Sequence, residues 1–206
     1  LALTDKMDTL AVAFSLGVEV SGSQDPLGLR RAALGVVNIL SGQGYDVDLD
    51  SLLEMPLELA SKAVSKHAGN ARGKPYPSGE GLHVGPKPTE SARDRLLAFL
   101  MSRIETGLLE KGYPSGIVRA VLGGKERRVP RIPLMAEALS SVSETAELGD
   151  VVTGWRRTSV LGKASSSRQV SPELLREEAE QHLYQMVSGQ LELANDLFSG
   201  KQYRDY

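Results

Sequence analysis

"DPLGLRRAALGVVNIL", Asp25 to Leu40, sets two adjacent arginines and two glycines inside an otherwise apolar run. Asp25 is a natural helix N-cap and Pro26 suits the first helical position, so the spacing predicts a helix from that point. On a helical wheel Leu29, Ala32, Ala33, Val36, Val37, Ile39 and Leu40 fill one broad arc. Arg31, Gly35 and Asn38 lie opposite, with Arg30 at the flank. Gly28 and Gly35 fall on Arg31's side, and each costs a helix about 1 kcal/mol relative to alanine. Something close must offset that cost: another helix packed tightly, or a backbone or phosphate that the arginines grip.

The same periodicity runs through the rest of the chain. Upstream, Leu3, Met7, Leu10, Ala11 and Phe14 recur at helical spacing, with Gly17 placed as a C-terminal cap and "EVSGSQ" as a short loop. Downstream, "SGQGYDVD" reads as a loop, and Asp50 to Lys66 as a helix despite Pro56. A helix over Glu90–Lys111 carries Leu96, Phe99, Leu100, Ile104 and Leu108 on one stripe, stops at Gly112, and is followed by the short helix "YPSGIVRAVL". Beyond a basic loop at 124–133 come helices near 134–145, 149–164 and 171–197, the last with Ser171 as N-cap and Pro172 behind it. No segment alternates with period two, so the fold class is all-α. The stretch "GNARGKPYPSGEGLHVGPKP" is dense in glycine and proline and reads as a domain boundary. The expected organisation is a first helical region at 1–66, a linker at 67–91 and a second helical region at 92–206.

Composition bounds the function. The 206 residues include no cysteine, which excludes disulfides and thiolate metal sites. No apolar run approaches the roughly 18 residues that cross a bilayer, and the N-terminus lacks signal-peptide character, so a cytoplasmic protein is expected. The opening "LALTDKMDTL" is already in helical register without a start methionine, and reads as part of something longer. A net charge of −2 supplies no overall basic field, so any nucleic-acid contact must come from local clusters. Three exist: Arg30-Arg31, "KERRVPR" from Lys125 to Arg131, and Arg156-Arg157 with Lys163. A solvated face is the plainer reading of each.

Catalytic chemistry is not visible. His67, His83 and His182 show no metal-ligand spacing, and no serine has a histidine and a carboxylate at recognisable distance. Asp5 and Asp8 flank Lys6 on one helix. The expectation is a chain with no catalytic residue, metal set or cofactor of its own, which binds something or supports a catalyst elsewhere.

"LTDKMDTLAVAFSLGVEVSGSQDPLGLRRAALGVVNIL" resembles the β subunit of bacterial glycyl-tRNA synthetase, in which a D-K-x-D-T-L helix precedes a D-P-x-x-L-R-R-A-A-L-G helix. "LLAFLMSRIETGLLEKGYPSGIVRAVL", "GWRRTSVLGKA" and "LFSGKQYRDY" resemble later segments of that family. The resemblance implies a subunit of an aminoacyl-tRNA synthetase, a two-α, two-β assembly in which the α subunit carries the aminoacylation site and uses ATP and magnesium. The β subunit binds tRNA-Gly, with no membrane involved. Residues 1–66 would then be the end of a domain like the HD phosphohydrolases. Residues 92–206 would be most of an anticodon-binding helical domain, lacking its last helix. Arg30, Arg31, Arg156, Arg157 and Lys163 are the expected tRNA-binding residues. Asp5 matches the position of a metal-binding aspartate in HD hydrolases, but the upstream histidine elements are missing, which leaves a metal site unsupported. Where the family has Lys-Arg followed by an asparagine, this chain has Arg156-Arg157 and Val160. Val151, Val152 and Trp155 are expected to face the core. The alternatives are an inactive HD-like domain or a helical protein-interaction module.

Overall fold

The computed structural model describes residues 1–20, 25, 27–68, 83–84, 90–163 and 170–200. The chain divides into two compact units, Leu1–Pro133 and Leu134–Tyr206. The first holds α1 (Ala2–Ser15), β1 (Val18–Glu19), α2 (Leu29–Gly42), α3 (Leu49–Ala68), β2 (His83–Val84), α4 (Ala92–Glu110), α5 (Ser115–Leu122) and the start of α6 (Arg131–Val142). The second holds the rest of α6, α7 (Ala146–Gly162), a 3-10 turn (Pro172–Leu174) and α8 (Glu178–Ser199).

In the first unit α1 packs against α2, α3 and α4, α4 also covers α2 and α3, and α5 leans on α4. The core follows from the apolar stripes. Met7, Leu10, Ala11 and Phe14 of α1 meet the buried faces of α2 (Leu29, Ala33, Val36, Leu40), α3 (Leu49, Leu53) and α4 (Leu96, Leu100, Ile104, Leu108). Each large side chain so buried contributes about 1.5–3 kcal/mol. At the end of α1, Arg95 of α4 donates from Nη2 to the Phe14 carbonyl at 2.6 Å, and its guanidinium lies 5.6 Å from the Phe14 ring. Phe99 completes the group, its ring 5.3 Å from that of Phe14. A cation at a helix C-terminus complements the helix dipole there.

The helix ends use the residues the spacing singled out. Gly17 takes φ 78° after α1 and its N–H bonds the Phe14 carbonyl at 3.1 Å. Gly112 takes φ 90° after α4, where the N–H of Gly112 meets Leu109 O and that of Tyr113 meets Leu108 O. Left-handed backbone of this kind favours glycine.

The all-α class holds, and four details of the structure differ from or add to the sequence reading. Asp25 does cap α2, but from outside it. The helix begins at Leu29 with Gly28 as N-cap at φ 66°, and the Asp25 carboxylate accepts the N–H groups of Arg30 (3.2 Å) and Arg31 (3.3 Å). Gly28 has no side chain to do this, so a carboxylate one turn back supplies the oxygens; Pro26 lies outside the described residues. Next, the all-α fold carries one small exception, an antiparallel pairing of Val18 with Val84 and Glu19 with His83. Two residues on each side are too few for a period-two pattern to register. Third, Ser171 and Pro172 begin the 3-10 turn. The long helix starts at Glu178 with its own capping box, Glu177 as N-cap and Glu180 accepting the Glu177 N–H at 3.2 Å.

The fourth concerns the compact units. The boundary expected at 67–91 is not where the compact units part. α4 and α5 join α1–α3, and the division falls at Pro133/Leu134, inside α6. Glycine and proline mark where the backbone leaves regular structure, whereas domain membership is set by which core Leu96, Leu100, Ile104 and Leu108 enter. Residues 69–82 and 85–89 lie outside the described residues.

Val36 is 0% exposed, so Val36→Asp places a carboxylate in the centre of the first unit, a cost of several kcal/mol against a typical total of about 5–15. The variant is expected to lose its cooperative unfolding transition in urea, followed by circular dichroism. Arg31→Ala is expected to stay within about 0.5 kcal/mol of wild type, as exposed substitutions do. Gly28→Ala should fall between them, losing about 1–2 kcal/mol to left-handed backbone. An Arg31→Ala protein as unstable as Val36→Asp would make that arginine a structural element.

Candidate nucleic-acid interface

The three basic clusters behave differently in three dimensions. The loop from Lys125 to Arg131 is folded around its own carboxylate. Glu126, its side chain only 4% exposed, accepts the N–H groups of Arg127 (2.9 Å) and Arg128 (2.8 Å) on one oxygen. Arg128 Nη1 approaches the same oxygen at 3.4 Å, and Arg131 Nη1 the other at 3.9 Å. Arg131 is itself turned onto Asp46 in a two-pronged pair, Nε to Oδ1 at 2.8 Å and Nη2 to Oδ2 at 2.7 Å. A guanidinium fork matches a carboxylate in this way and a lysine would not. The main chain reinforces the contact: Leu49 N–H donates to Arg127 O at 3.2 Å, and Asp48 bridges to Arg128. Half of this loop's positive charge therefore fastens the start of α3 to the entry of α6 within the first unit. The missed signal was Glu126 itself, a lone acid among four cations.

Arg30 and Arg31 stand at the first turn of α2. Arg30 is half-buried and has an interaction partner. Arg31 is largely exposed, its Nε 3.7 Å from Asp25. Its guanidinium folds back over Gly28, where a methyl group would stand 3.3 Å from Nη2. At Gly35 a methyl group would stand 2.6 Å from Lys6 Cε and 2.7 Å from Cδ, so the Lys6 stem of α1 crosses α2 there. Gly28 at the N-cap and Gly35 inside α2 each seat a cationic side chain.

Arg156, Arg157 and Lys163 are exposed on or just after α7, and no carboxylate among the described residues pairs with them. Arg156 and Lys163 share one side of the helix and Arg157 projects from another. The expected core face is a correction: Val151 and Trp155 are exposed, Trp155 by 67%, and Val152 also counts as exposed. No described residue of α7 or α8 is buried. Periodicity marked Val151, Val152 and Trp155 as one apolar side; what covers that side is a tertiary question.

The remaining candidates stay apart. Asp5 is exposed in the first turn of α1. The histidines fall in separate elements: His67 at the end of α3, His83 in β2 and His182 on α8. Among the described residues no three His, Asp or Glu side chains gather to hold a metal ion, and no helix is long and apolar enough to cross a membrane.

The fold and its basic faces are those of a helical protein with local cationic surfaces on an acidic background. The family model described as "Glycyl-tRNA synthetase beta subunit" matches residues 1–123, from α1 to the end of α5, and the chain belongs to that family. It is 34% identical over 185 residues, 89% of its length, to the glycine–tRNA ligase beta subunit of Halalkalibacterium halodurans. It is 28% identical over 203 residues, 98% of its length, to that of Clostridioides difficile. It spans 24% of the first relative and 26% of the second, about a quarter of each.

Glu126→Ala removes the acceptor for two N–H groups and is expected to lower stability by about 1–3 kcal/mol for each group left without a partner. Glu126→Gln, which keeps one acceptor oxygen, should lose clearly less. Urea denaturation of the two variants checks the order; equal losses would mean that the carboxylate's charge, rather than its hydrogen bonds, holds the loop.

Proposed function

We propose that this chain is the tRNA-binding part of a glycine–tRNA ligase β subunit, supporting ATP-dependent glycylation of tRNA-Gly at an α subunit in a two-α, two-β assembly. ATP and magnesium act at the α subunit in this reading, and the protein works in the cytoplasm. The observation that carries it, beside the family, is the cationic surface of α7: Arg156, Arg157 and Lys163 are solvent-facing and unpaired among the described residues, next to an exposed Trp155. Anticodon loops are single-stranded, with splayed bases and phosphates that suit guanidinium groups and aromatic faces. α7 would lie along the anticodon arm, with Arg30 and Arg31 on a separate part of the tRNA. The chain alone, without the α subunit, is expected to form no glycyl-adenylate.

The test uses the intact assembly with Arg156, Arg157 and Lys163 replaced singly by alanine. Glycylation is measured on tRNA with its native and an altered anticodon at two salt concentrations. A lost phosphate contact weakens binding to both tRNAs and makes the salt dependence shallower, whereas a lost base contact costs about 1–3 kcal/mol on the native anticodon alone. Three variants that match wild type in every combination would remove α7 from the interface.

A further inference from the structure

Lys6 is the cation that the sequence clusters left out. Its stem is half-buried across Gly35, so the ammonium is held against α2 rather than swinging freely from α1. No carboxylate among the described residues lies within ion-pair distance of it. Two turns away along the same side of α2, Arg31 lies over Gly28 with its side chain 82% exposed. The acid nearest to it, Asp25, is already engaged by two main-chain N–H groups and only loosely reached by the guanidinium. One side of α2 therefore carries two positioned positive charges and one occupied carboxylate.

The spacing restricts what such a pair would hold. Gly28 and Gly35 are separated by about 10 Å along the helix at 1.5 Å per residue. That is too far for the oxygens of a single small anion and suits anions repeated along a polymer. We infer that Lys6 and Arg31 together hold backbone phosphates of the bound RNA, and that Gly35 is the position that lets Lys6 do so. The inference rests on the tRNA-binding reading and adds a residue and a contact type to it. A backbone contact of this kind positions the RNA without reading its sequence.

The experiment measures binding of a tRNA-Gly transcript to the intact assembly by fluorescence anisotropy over a range of salt. Lys6→Met keeps the apolar stem and removes the charge. It is expected to keep the wild-type melting temperature, weaken binding several-fold at low salt, and reduce the salt slope by about one released counterion, equally for native and altered anticodons. Gly35→Ala is expected to weaken binding in the wild-type background and to add nothing in Lys6→Met, because its effect is the displacement of Lys6. Wild-type affinity and slope in Lys6→Met would overturn the inference, as would a Gly35→Ala effect that is the same with and without the lysine. If the α7 variants weaken binding as expected while Lys6→Met does not, this inference fails and the tRNA-binding reading stands. If Lys6→Met instead loosens the hold on the α subunit, seen by sedimentation, with tRNA affinity unchanged, the site faces a protein carboxylate and the inference is likewise overturned.

Discussion

Helix α1 has to bury Met7, Leu10, Ala11 and Phe14, and no single neighbour covers them; α2, α3 and α4 are all needed. Ala11 and Ala13 keep that helix slim enough for its partners to approach closely. Three helices held to one axis also fix each other, which is why α4 contacts α2 and α3 as well. The rest of the first unit follows from that arrangement. α4 arrives from beyond a long Gly/Pro-rich stretch, and its place in the same core makes residues on both sides of that stretch one body.

Charge in the first unit serves order at the edges of this core. Asp25 closes the N-terminus of α2, Arg95 the C-terminus of α1, and Glu126 gathers two main-chain N–H groups with the guanidinium of Arg128. A carboxylate buried in this way is tolerated because its oxygens are matched by donors. The same logic separates the basic clusters. Positive side chains committed to Asp46 or Glu126 cannot also meet an anion from solvent, whereas Arg156, Arg157 and Lys163 have no carboxylate partner among the described residues and Arg31 reaches Asp25 only at 3.7 Å. A mild net negative charge over the whole chain is thus compatible with local surfaces of the opposite sign.

The second unit is built differently. α8 starts with the reciprocal Glu177 and Glu180 capping box, yet α7 and α8 bury none of their described residues. Leu183, Val187 and Leu191 lie exposed along one side of α8, and Val151 and Trp155 along one side of α7. Such faces are amphipathic by the same rule that shaped the first unit, and differ from it in having no cover within the described residues. The chain amounts to about a quarter of each relative's length, and its first 123 residues are the part that the family model matches.

Local chemistry alone determined the helices, their apolar faces and most of their stops. Leu96, Leu100, Ile104 and Leu108 announce a buried face by spacing, and Gly17 and Gly112 announce ends because left-handed backbone excludes most other residues. The family was also legible, from the order and spacing of residues around Asp5 and Arg31. Tertiary structure decided everything that depends on a neighbour distant in sequence. Arg131 meets Asp46 across the chain, Lys6 crosses Gly35, Val84 pairs with Val18, and α4 joins α1 instead of founding a second domain. A period reports that a helix has an apolar side and a glycine reports that space is needed. Which side chain fills that space depends on the packing of whole helices, and no window of sequence contains both partners.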